Sequence, residues 1–354
     1  MFKKKTVFVI GAGGSADFGL PLGEGLKGLI AETLYLDDSD PNRPLTENSE
    51  EIIEALRSMN ASRVKPLPKI QPYLLAGVQI SEAMPLSPSI DNFLQVHSQN
   101  EAITTVGKLG IAHSILRAER NSKLWFDNSD NNNKLEVSKL NDTWMLEFVK
   151  ILLEGVRLGD ISSFVNVEII TFNYDRCIEE SLSNAIANQW LVPIEEARLI
   201  SSNIKITHVY GTVGLLPWQN VEGHKIEFGA ELNEAVLNQA ASMLQTFSET
   251  KETDEIENEI LMSVRETERI VFIGFSFMPI NMKYFSLPES QTVREILATC
   301  LGLSSSDQKI VTSDLSNLFS GGRTRTQIIA NPGIEFEYFK GAELLKAYSR
   351  MLAS

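Results

Sequence analysis

Cysteine is scarce in this 354-residue sequence, which contains only Cys177 and Cys300, far apart and without CxxC spacing. Two such residues exclude a disulfide framework and a thiolate zinc site as organising features, and they favour a reducing compartment. Long apolar runs are also missing, because the first one after the basic residues 1–5 covers only residues 7–10. A signal peptide and a membrane span both need longer runs. We therefore expect a soluble, cytoplasmic protein that has no membrane partner.

Positive charge is in the minority as well. The sequence has 32 Lys and Arg against 46 Asp and Glu, a formal net charge of −14. Sequence-independent binding of nucleic acid depends on Lys and Arg that neutralise phosphates, so we expect no direct nucleic-acid partner. With 43% hydrophobic and 22% charged residues, the composition is that of a globular protein. The length allows one large domain or two modest ones.

Strand and helix patterns alternate along the chain. Runs rich in β-branched and aromatic residues predict strands at 5–10, 167–171, 204–210, 270–273 and 325–330. Helical spacing is found at 22–34, 90–159, 231–267 and 340–352, whereas 35–68 is polar and predicts an exposed excursion, and 127–134 a surface loop. Such interleaving implies an α/β, Rossmann-like fold with a mainly parallel sheet and helices on both faces. We predict one domain over 1–354, with a helical insertion at about 35–165 and a smaller, mostly helical one at about 215–268.

A glycine-rich loop follows the first predicted strand. Residues 11–16 (GAGGSA) fit the pattern GxGxxG/A between a strand and a helix. Glycine at 11 and 13 allows a tight turn and lets backbone N–H groups approach a pyrophosphate, beside a helix N-terminus that adds partial positive charge. The alternative is that these glycines serve only strand-to-helix packing. A dehydrogenase would also need an acid-tipped second strand about 20 residues further on, but Glu32 at that distance lies inside a predicted helix.

Polar residues follow the second predicted strand in the segment 171–175 (TFNYD). The amide of Asn173 offers an acceptor and two donors, and the carboxylate of Asp175 offers acceptors only. Together they could orient a ribose or a water molecule, so both are candidate catalytic residues. Alternatively, Asp175 serves as the N-cap of a helix that begins at Arg176.

The remaining predicted strands also end in polar or glycine-rich junctions. His208 lies in 207–211 (THVYG), and its ordinary pKa near ~6.5 would suit a general base for a ribose hydroxyl, although a lone strand histidine is more often structural. Gly274 and Ser276 follow the next strand, and Asn331, which could bond an adenosine ribose, follows the last. The carboxyl ends of parallel strands meet at one edge of a sheet, where ligands bind. We therefore predict one site at this edge.

In chain order, these segments resemble the NAD-binding domain of the sirtuin family. Residues 11–21 (GAGGSADFGLP) are similar to the family motif GAGxSxxxGIP, 171–175 to TxNxD, 208–211 to the catalytic histidine and glycine, and 274–276 to the GxS loop. Residues 89–94 (SIDNFL) also resemble a segment that is frequent in sirtuin-like domains of bacterial antiphage defence proteins. The resemblance implies that NAD is held by the following residues: Gly11, Ala12, Gly13, Ser15, Gly19, Pro21, Gly274, Ser276 and Asn331.

The sequence also departs from the deacylases of that family. It cannot build their four-cysteine zinc ribbon, and residues 22–24 (LGE) stand where deacylases have Asp-Phe-Arg. Both differences point to NAD hydrolysis instead of acyl-lysine chemistry. The histidine motif is shifted as well: if Gly211 is aligned with the family glycine, Tyr210 holds the catalytic position and His208 stands two residues earlier. Residues two apart on a strand share a face, so we predict His208 as the catalytic residue and Tyr210 as its support or substitute.

The resemblance thus implies an NAD glycohydrolase that uses NAD as its substrate, without a metal, and releases nicotinamide and ADP-ribose. Asn173 would orient water or ribose, His208 would accept a proton, and Asp175 would fix the ribose or hold Asn173. The implied role is NAD depletion during phage infection, controlled by homo-oligomerisation or by a partner such as a HerA-like ATPase. The alternatives are a non-catalytic module that binds NAD or ADP-ribose, and a Rossmann oxidoreductase. Hydrolysis and cyclisation of ADP-ribose are equally compatible with the sequence.

Overall fold

One parallel β-sheet forms the centre of the computed structural model. The structure describes residues 1–37, 39, 43–61, 70–127, 135–253, 255–285, 293–319 and 332–354. Within them the strands are β1 Thr6–Ile10, β2 Val167–Thr171, β3 Lys205–His208, β4 Arg269–Ile273, β5 Glu295–Thr299 and β6 Gly333–Glu337. All neighbouring strands are parallel, in the order β3-β2-β1-β4-β5-β6. This order is that of a Rossmann fold, so the predicted fold class is confirmed.

Helices connect these strands. They are α1 Ala12–Ala16, α2 Gly23–Thr33, α3 Glu47–Ala61, α4 Gln71–Ala83, α5 Ile90–Val96, α6 Glu101–Arg120, α7 Trp144–Leu153, α8 Cys177–Trp190, α9 Ile194–Ser201, α10 Glu234–Met243, α11 Phe247–Thr253, α12 Glu255–Arg265, α13 Pro279–Met282, α14 Ser305–Phe319 and α15 Gly341–Leu352. In chain order, α1 to α7 lie between β1 and β2, and α10 to α12 lie between β3 and β4. None of the helices in the described ranges combines the length and hydropathy that a membrane crossing requires.

The sheet separates two hydrophobic cores. All five residues of β1 are buried, and because side chains alternate along a strand, Val7 and Val9 belong to one core while Phe8 and Ile10 belong to the other. The helices that contribute buried residues to the first core are α2 to α6 and α10 to α14, and those that contribute to the second are α7, α8, α9 and α15. Both faces of β1 are therefore covered, which explains why its sequence is continuously apolar.

The structure corrects several sequence predictions. The third strand ends at His208, so Tyr210 lies in the turn that follows it. The stretch 35–68 is not only an exposed excursion, since α3 buries Ile52 and Leu56 against the first core. Strands β5 and β6 were not predicted, and the predicted strand 325–330 lies outside the described residues, as do 128–134 of the predicted surface loop. The helix predicted at 22–34 is confirmed as α2, Gly23–Thr33, and the short α1 lies between the first strand and it.

Candidate functional site

A cavity of about 660 Å³ lies at the carboxyl ends of the central strands. Its wall includes Gly11 after β1, Asn173 after β2, Gly274 after β4 and Thr299 at the end of β5. In this sheet order, β1 lies between β2 and β4, which is where the winding direction reverses. Open α/β sheets bind ligands at such a switch point, and the volume lies within the ~300–1,000 Å³ of small-molecule sites. The position and the size both make this cavity the candidate site.

Most of the predicted site residues line this cavity: Gly11, Ala12, Gly13, Ser15, Pro21, Asn173, Asp175, Tyr210, Gly274 and Ser276. Two predicted residues, Gly19 and His208, are not part of its wall. Asn331 lies outside the described residues. The structure thus brings together the residues that follow β1, β2 and β4, and it sets His208 apart from them.

The glycine loop after β1 packs directly against the loop after β4. The N–H of Gly11 donates to Ile273 O and the N–H of Gly13 donates to Gly274 O, both at 3.0 Å. A Cβ at Gly11 would lie 2.5 Å from Gly274 O, and one at Gly13 would lie 2.6 Å from Gly274 Cα. Gly274 itself has a φ of +58°, which favours glycine. The glycines are therefore required by close packing of two loops, and both amides are used inside the protein.

The side chain of Asn173 is fixed by two hydrogen bonds. Its Nδ2 donates to Gly11 O at 2.9 Å and to Ser15 Oγ at 2.7 Å, and the residue is buried. Both N–H donors of the amide are therefore used within the protein. The amide oxygen is the atom of Asn173 that can accept a hydrogen bond from a ligand or a water molecule.

Asp175 supports Asn173 through Ser15. The Ser15 hydroxyl bonds to the Asp175 carboxyl, whose Oδ1 also accepts from the N–H of Cys177 at 3.1 Å. Burial raises the pKa of Asp175, and the bonds from Ser15 and Cys177 partly oppose that rise. The helix α8 begins at Cys177 and its N-cap is Arg176, so Asp175 is not the N-cap that the alternative predicted, although its carboxyl accepts from the first N–H of the helix. The Asp175 carboxyl also bonds to the Ser15 hydroxyl, which accepts the hydrogen bond from Asn173 Nδ2.

His208 occupies a buried position between two acceptors. Its Nδ1 lies 3.0 Å from the main-chain oxygen of Asn173, and its Nε2 lies 2.8 Å from Glu179 Oε1. Burial alone would lower the pKa of His208, but the charge of Glu179 and the two hydrogen bonds outweigh it, so the pKa is raised. The imidazole is therefore tied to the main chain of the Asn173 loop and to α8, not directed at the cavity.

Tyr210 lines the cavity, and its hydroxyl donates to Asn281 Oδ1 at 2.8 Å. Its ring packs against Phe172, Tyr174 and Tyr284, with centroid distances of 5.9, 6.2 and 6.1 Å. Burial is the main cause that raises the pKa of Tyr210, and the nearby charge of Asp91 adds to it. A phenol with a raised pKa stays protonated at neutral pH, so Tyr210 acts as a hydrogen-bond donor and not as a base.

Asp91 is a cavity residue to which the sequence analysis assigned no role. It lies in the first turn of α5, whose N-cap Ser89 accepts from the N–H of Asn92 at 3.0 Å. The hydroxyl of Tyr174 donates to its carboxyl group. Burial raises the pKa of Asp91, although the bond from Tyr174 opposes the rise. The one signal for Asp91 in the sequence is that it lies in the segment 89–94, which resembles a family segment but has no role assigned to its residues.

The charged side chains of the cavity wall are mostly acidic. Among the described residues, the wall includes the carboxyl groups of Asp17, Glu24, Asp91 and Asp175 and one ammonium group, that of Lys340. Asp17 has a further structural role, because its Oδ2 accepts from the N–H at the start of α7 at 3.0 Å. Such a wall favours a ligand that carries a positive charge or several hydroxyl groups, with Lys340 available to an anionic part.

Within the described ranges, no cluster of three or more His, Cys, Asp or Glu side chains has the arrangement to hold a metal ion. In comparisons with known proteins, no family model matches the sequence and no curated protein matches it.

Proposed function

We propose that the cavity binds NAD and cleaves its bond between nicotinamide and ribose, as a sirtuin-like NAD glycohydrolase. The observation that carries this proposal is the convergence of the Asn173 amide, the Asp91 carboxyl and the Tyr210 phenol on one cavity at the switch point. In addition, the motifs that resemble the sirtuin family at 11–21, 171–175 and 274–276 all contribute to its wall. A cytoplasmic location, which the scarcity of cysteine favours, forms part of the same proposal. So does NAD depletion in antiphage defence, controlled by a homo-oligomer or a HerA-like partner, which follows from the resemblance.

The proposed reaction needs little covalent chemistry from the protein. The C1′–N bond breaks and its electron pair moves to the pyridinium nitrogen, which leaves neutral nicotinamide and an oxocarbenium-like ribose. Water adds to C1′ and loses a proton, so that the products are nicotinamide, ADP-ribose and one proton. The chain supplies orientation and charge stabilisation. The amide oxygen of Asn173 accepts a hydrogen bond from the water or from a ribose hydroxyl.

Asp91 is the candidate proton acceptor in this scheme. It lines the cavity, and burial raises its pKa toward the range in which a carboxylate is an effective base. Its negative charge also stabilises the ribose cation as it forms. The Tyr210 hydroxyl donates a hydrogen bond to Asn281 and so holds that side chain in place. His208, which contacts Asn173 through the main chain, takes no part in proton transfer to the substrate.

A second candidate is a module that binds NAD or ADP-ribose without turnover. One observation favours it: the histidine predicted as the base is not part of the cavity wall and has both ring nitrogens engaged by the protein. The two candidates differ in the fate of the bound dinucleotide and not in where it binds.

Incubation of the purified chain with NAD, followed by chromatography of free nicotinamide, separates the candidates. We expect nicotinamide release that Asn173→Ala abolishes and Asp91→Asn reduces by about 100-fold or more. The matched control is Asn203→Ala, because Asn203 is an exposed asparagine that bonds only to its own helix end. Calorimetric binding of NAD without release, under all conditions tried, would favour the binding module. If the chain neither binds NAD nor releases nicotinamide, both candidate functions are overturned.

A further inference from the structure

His208 lies between two hydrogen-bond acceptors, the main-chain oxygen of Asn173 at 3.0 Å and Glu179 Oε1 at 2.8 Å. A neutral imidazole carries one N–H, and only the doubly protonated ring can donate to both acceptors. We propose that His208 and Glu179 form an ion pair that positions Asn173, and that this positioning is lost when His208 releases its second proton. His208 is thus a positioning residue and does not touch the substrate. The ion pair itself can be tested without the proposed function; only the measurements of activity rest on that function.

The surroundings of the ring favour its charged form. The side chains of His208 and Glu179 are only 10% and 6% exposed. The charged groups that face His208 are Glu179 from α8 and, with a smaller effect, Asp175 from the loop after β2, whereas the residue opposite it on β2 is the uncharged Thr171. Arg176 acts on Glu179 from the start of the same helix. Two carboxylates therefore act on the imidazole directly, whereas Arg176 acts on Glu179, the partner of the imidazole.

Glu179 depends on His208 in return. Within the part of the chain that the structure describes, Glu179 Oε2 is buried and has no hydrogen-bond partner. Burial alone would raise the pKa of Glu179, but the charge and the hydrogen bond of His208 outweigh it, so the pKa is lowered. Because the bond to a carboxylate is charge-assisted and the stronger of the two, a neutral His208 keeps its proton on Nε2. The bond that is lost on deprotonation is the one to Asn173.

That bond acts together with several others that hold the loop after β2, among them the bonds from Asn173 Nδ2 to Gly11 O and Ser15 Oγ. The carbonyl of the next residue, Tyr174, accepts from the N–H of Val213 at 3.1 Å and from Thr212 Oγ1 at 3.0 Å. These contacts and the His208 bond together join the loop to the end of β3 and to the segment that follows it. Among the groups that form these bonds, the imidazole of His208 is the titratable one. Its deprotonation releases the Asn173 carbonyl and thereby loosens the amide that faces the cavity.

Nuclear magnetic resonance of the full chain labelled with ¹⁵N tests this directly. The chain has four histidines, and the signals of His208 are identified by their loss in His208→Gln. We expect both ring nitrogens of His208 to be protonated at neutral pH, and we expect Glu179→Gln to lower its titration midpoint. The side-chain amide signal of Asn173 should shift with the same midpoint. A neutral ring at pH 7, or an Asn173 signal that does not follow the ring, would overturn the proposal.

The pH profile of nicotinamide release gives the functional readout. In the unmodified chain, kcat should fall on the alkaline side with the midpoint measured for His208, while KM changes little. In His208→Gln we expect kcat to fall by about one to two orders of magnitude and its alkaline limb to disappear. The matched control, His224→Gln, removes an exposed histidine and should keep the original profile. If no nicotinamide is released at any pH, the proposed function fails, whereas the resonance experiment still decides the positioning.

Discussion

The hydroxyl of Tyr174 donates a hydrogen bond to the carboxyl group of Asp91, although the two residues are 83 positions apart in the sequence. This bond joins α5 to the loop after β2 and closes one side of the cavity. Tyr174 is buried and Asp91 is partly buried, and burial raises the pKa of each. The bond acts against burial at Asp91, because it stabilises the ionised carboxylate. Tyr174 thus controls how basic a cavity carboxylate is.

The acidic limb of the proposed NAD cleavage should therefore depend on Tyr174. Asp91 acts as an acceptor only when ionised, and its pKa lies above the ordinary value of 3.8, so activity should fall with decreasing pH earlier than for an ordinary aspartate. Tyr174→Phe removes the bond that lowers the pKa of Asp91, so the limb should move to higher pH. The measurement is kcat for nicotinamide release against pH, with Tyr338→Phe, at an exposed tyrosine, as the control. A limb that stays in place would contradict the role of Asp91.

Ser15→Ala should impair both activity and stability. The hydroxyl of Ser15 accepts from Asn173 Nδ2 at 2.7 Å and bonds to the buried carboxyl of Asp175. Loss of a buried partner costs about 1–3 kcal/mol, and the freed Asn173 amide should lower kcat about tenfold or more. Thermal unfolding and nicotinamide release measure the two effects. Ser242→Ala is the control, since that exposed hydroxyl bonds only within its own helix; equal behaviour of the two variants would refute the assigned link.

Of the strands in the described residues, the sequence predicted β1 to β4, but not β6 and not β5, although four of the five β5 residues are buried. Strands β1 and β4 are buried at every residue, and buried strands leave a continuous apolar signal. In contrast, β6 is one of the two edge strands and none of its residues is fully buried, so its sequence GIEFE alternates with charge and shows no such signal. Helix α3 was missed because its buried residues Ile52 and Leu56 are embedded in an otherwise acidic stretch.

The site was predictable where it depends on the sheet and unpredictable where it depends on packing between distant elements. Gly11, Asn173 and Gly274 follow predicted strands, and parallel strands bring their ends to one edge. Asp91 reaches the same cavity from α5, which packs against α6 and α11, and no local pattern contains that information. The assignment of His208 to the cavity relied on a strand that ends two residues later than β3.

Gly11→Ala should destabilise the protein, because a Cβ at this position would lie 2.5 Å from Gly274 O and 2.8 Å from Phe275 Cα. Both contacts are with backbone atoms, so the two loops must separate, at a cost of about 1–3 kcal/mol. The matched control is Gly28→Ala in α2, where an added Cβ meets no atom within 4 Å. There the higher helix propensity of alanine should stabilise by about 0.5–1 kcal/mol. Chemical denaturation measures the change in free energy of unfolding for both variants. If Gly11→Ala leaves that free energy unchanged, the two loops are not in contact.

Glu119→Gln should be among the most destabilising single changes in the chain. Glu119 and Arg176 form a fully buried ion pair with side-chain exposures of 0% and 1%, and the guanidinium also donates to the carbonyls of Ile226 and Glu227. Removing the carboxylate leaves a buried positive charge, which costs about 3–5 kcal/mol. Glu136→Gln, in an exposed pair with Lys139 at 3.8 Å, should cost less than about 1 kcal/mol.

The sharper test of that pair is a second substitution. If the cost of Glu119→Gln arises from the unpaired guanidinium, adding Arg176→Met should recover part of the lost free energy of unfolding, since a buried pair can be replaced by apolar groups at little cost. Additive losses in the double variant would show that the two side chains do not act as a pair.

The His208–Glu179 pair should make stability depend on pH in a defined window. The pKa of His208 is raised in the folded chain above its ordinary value of 6.5, so its contribution is complete below that value and is lost as pH rises through the raised pKa. The pKa of Glu179 is lowered below its ordinary value of 4.5, so its contribution is present above that value and is lost as pH falls through the lowered pKa. Both contributions are complete between about pH 4.5 and 6.5.

The difference in free energy of unfolding between the unmodified chain and His208→Gln should therefore be largest in that window and shrink above it. Urea denaturation at a series of pH values measures it, and a difference that grows with pH would mean that His208 is neutral in the folded protein.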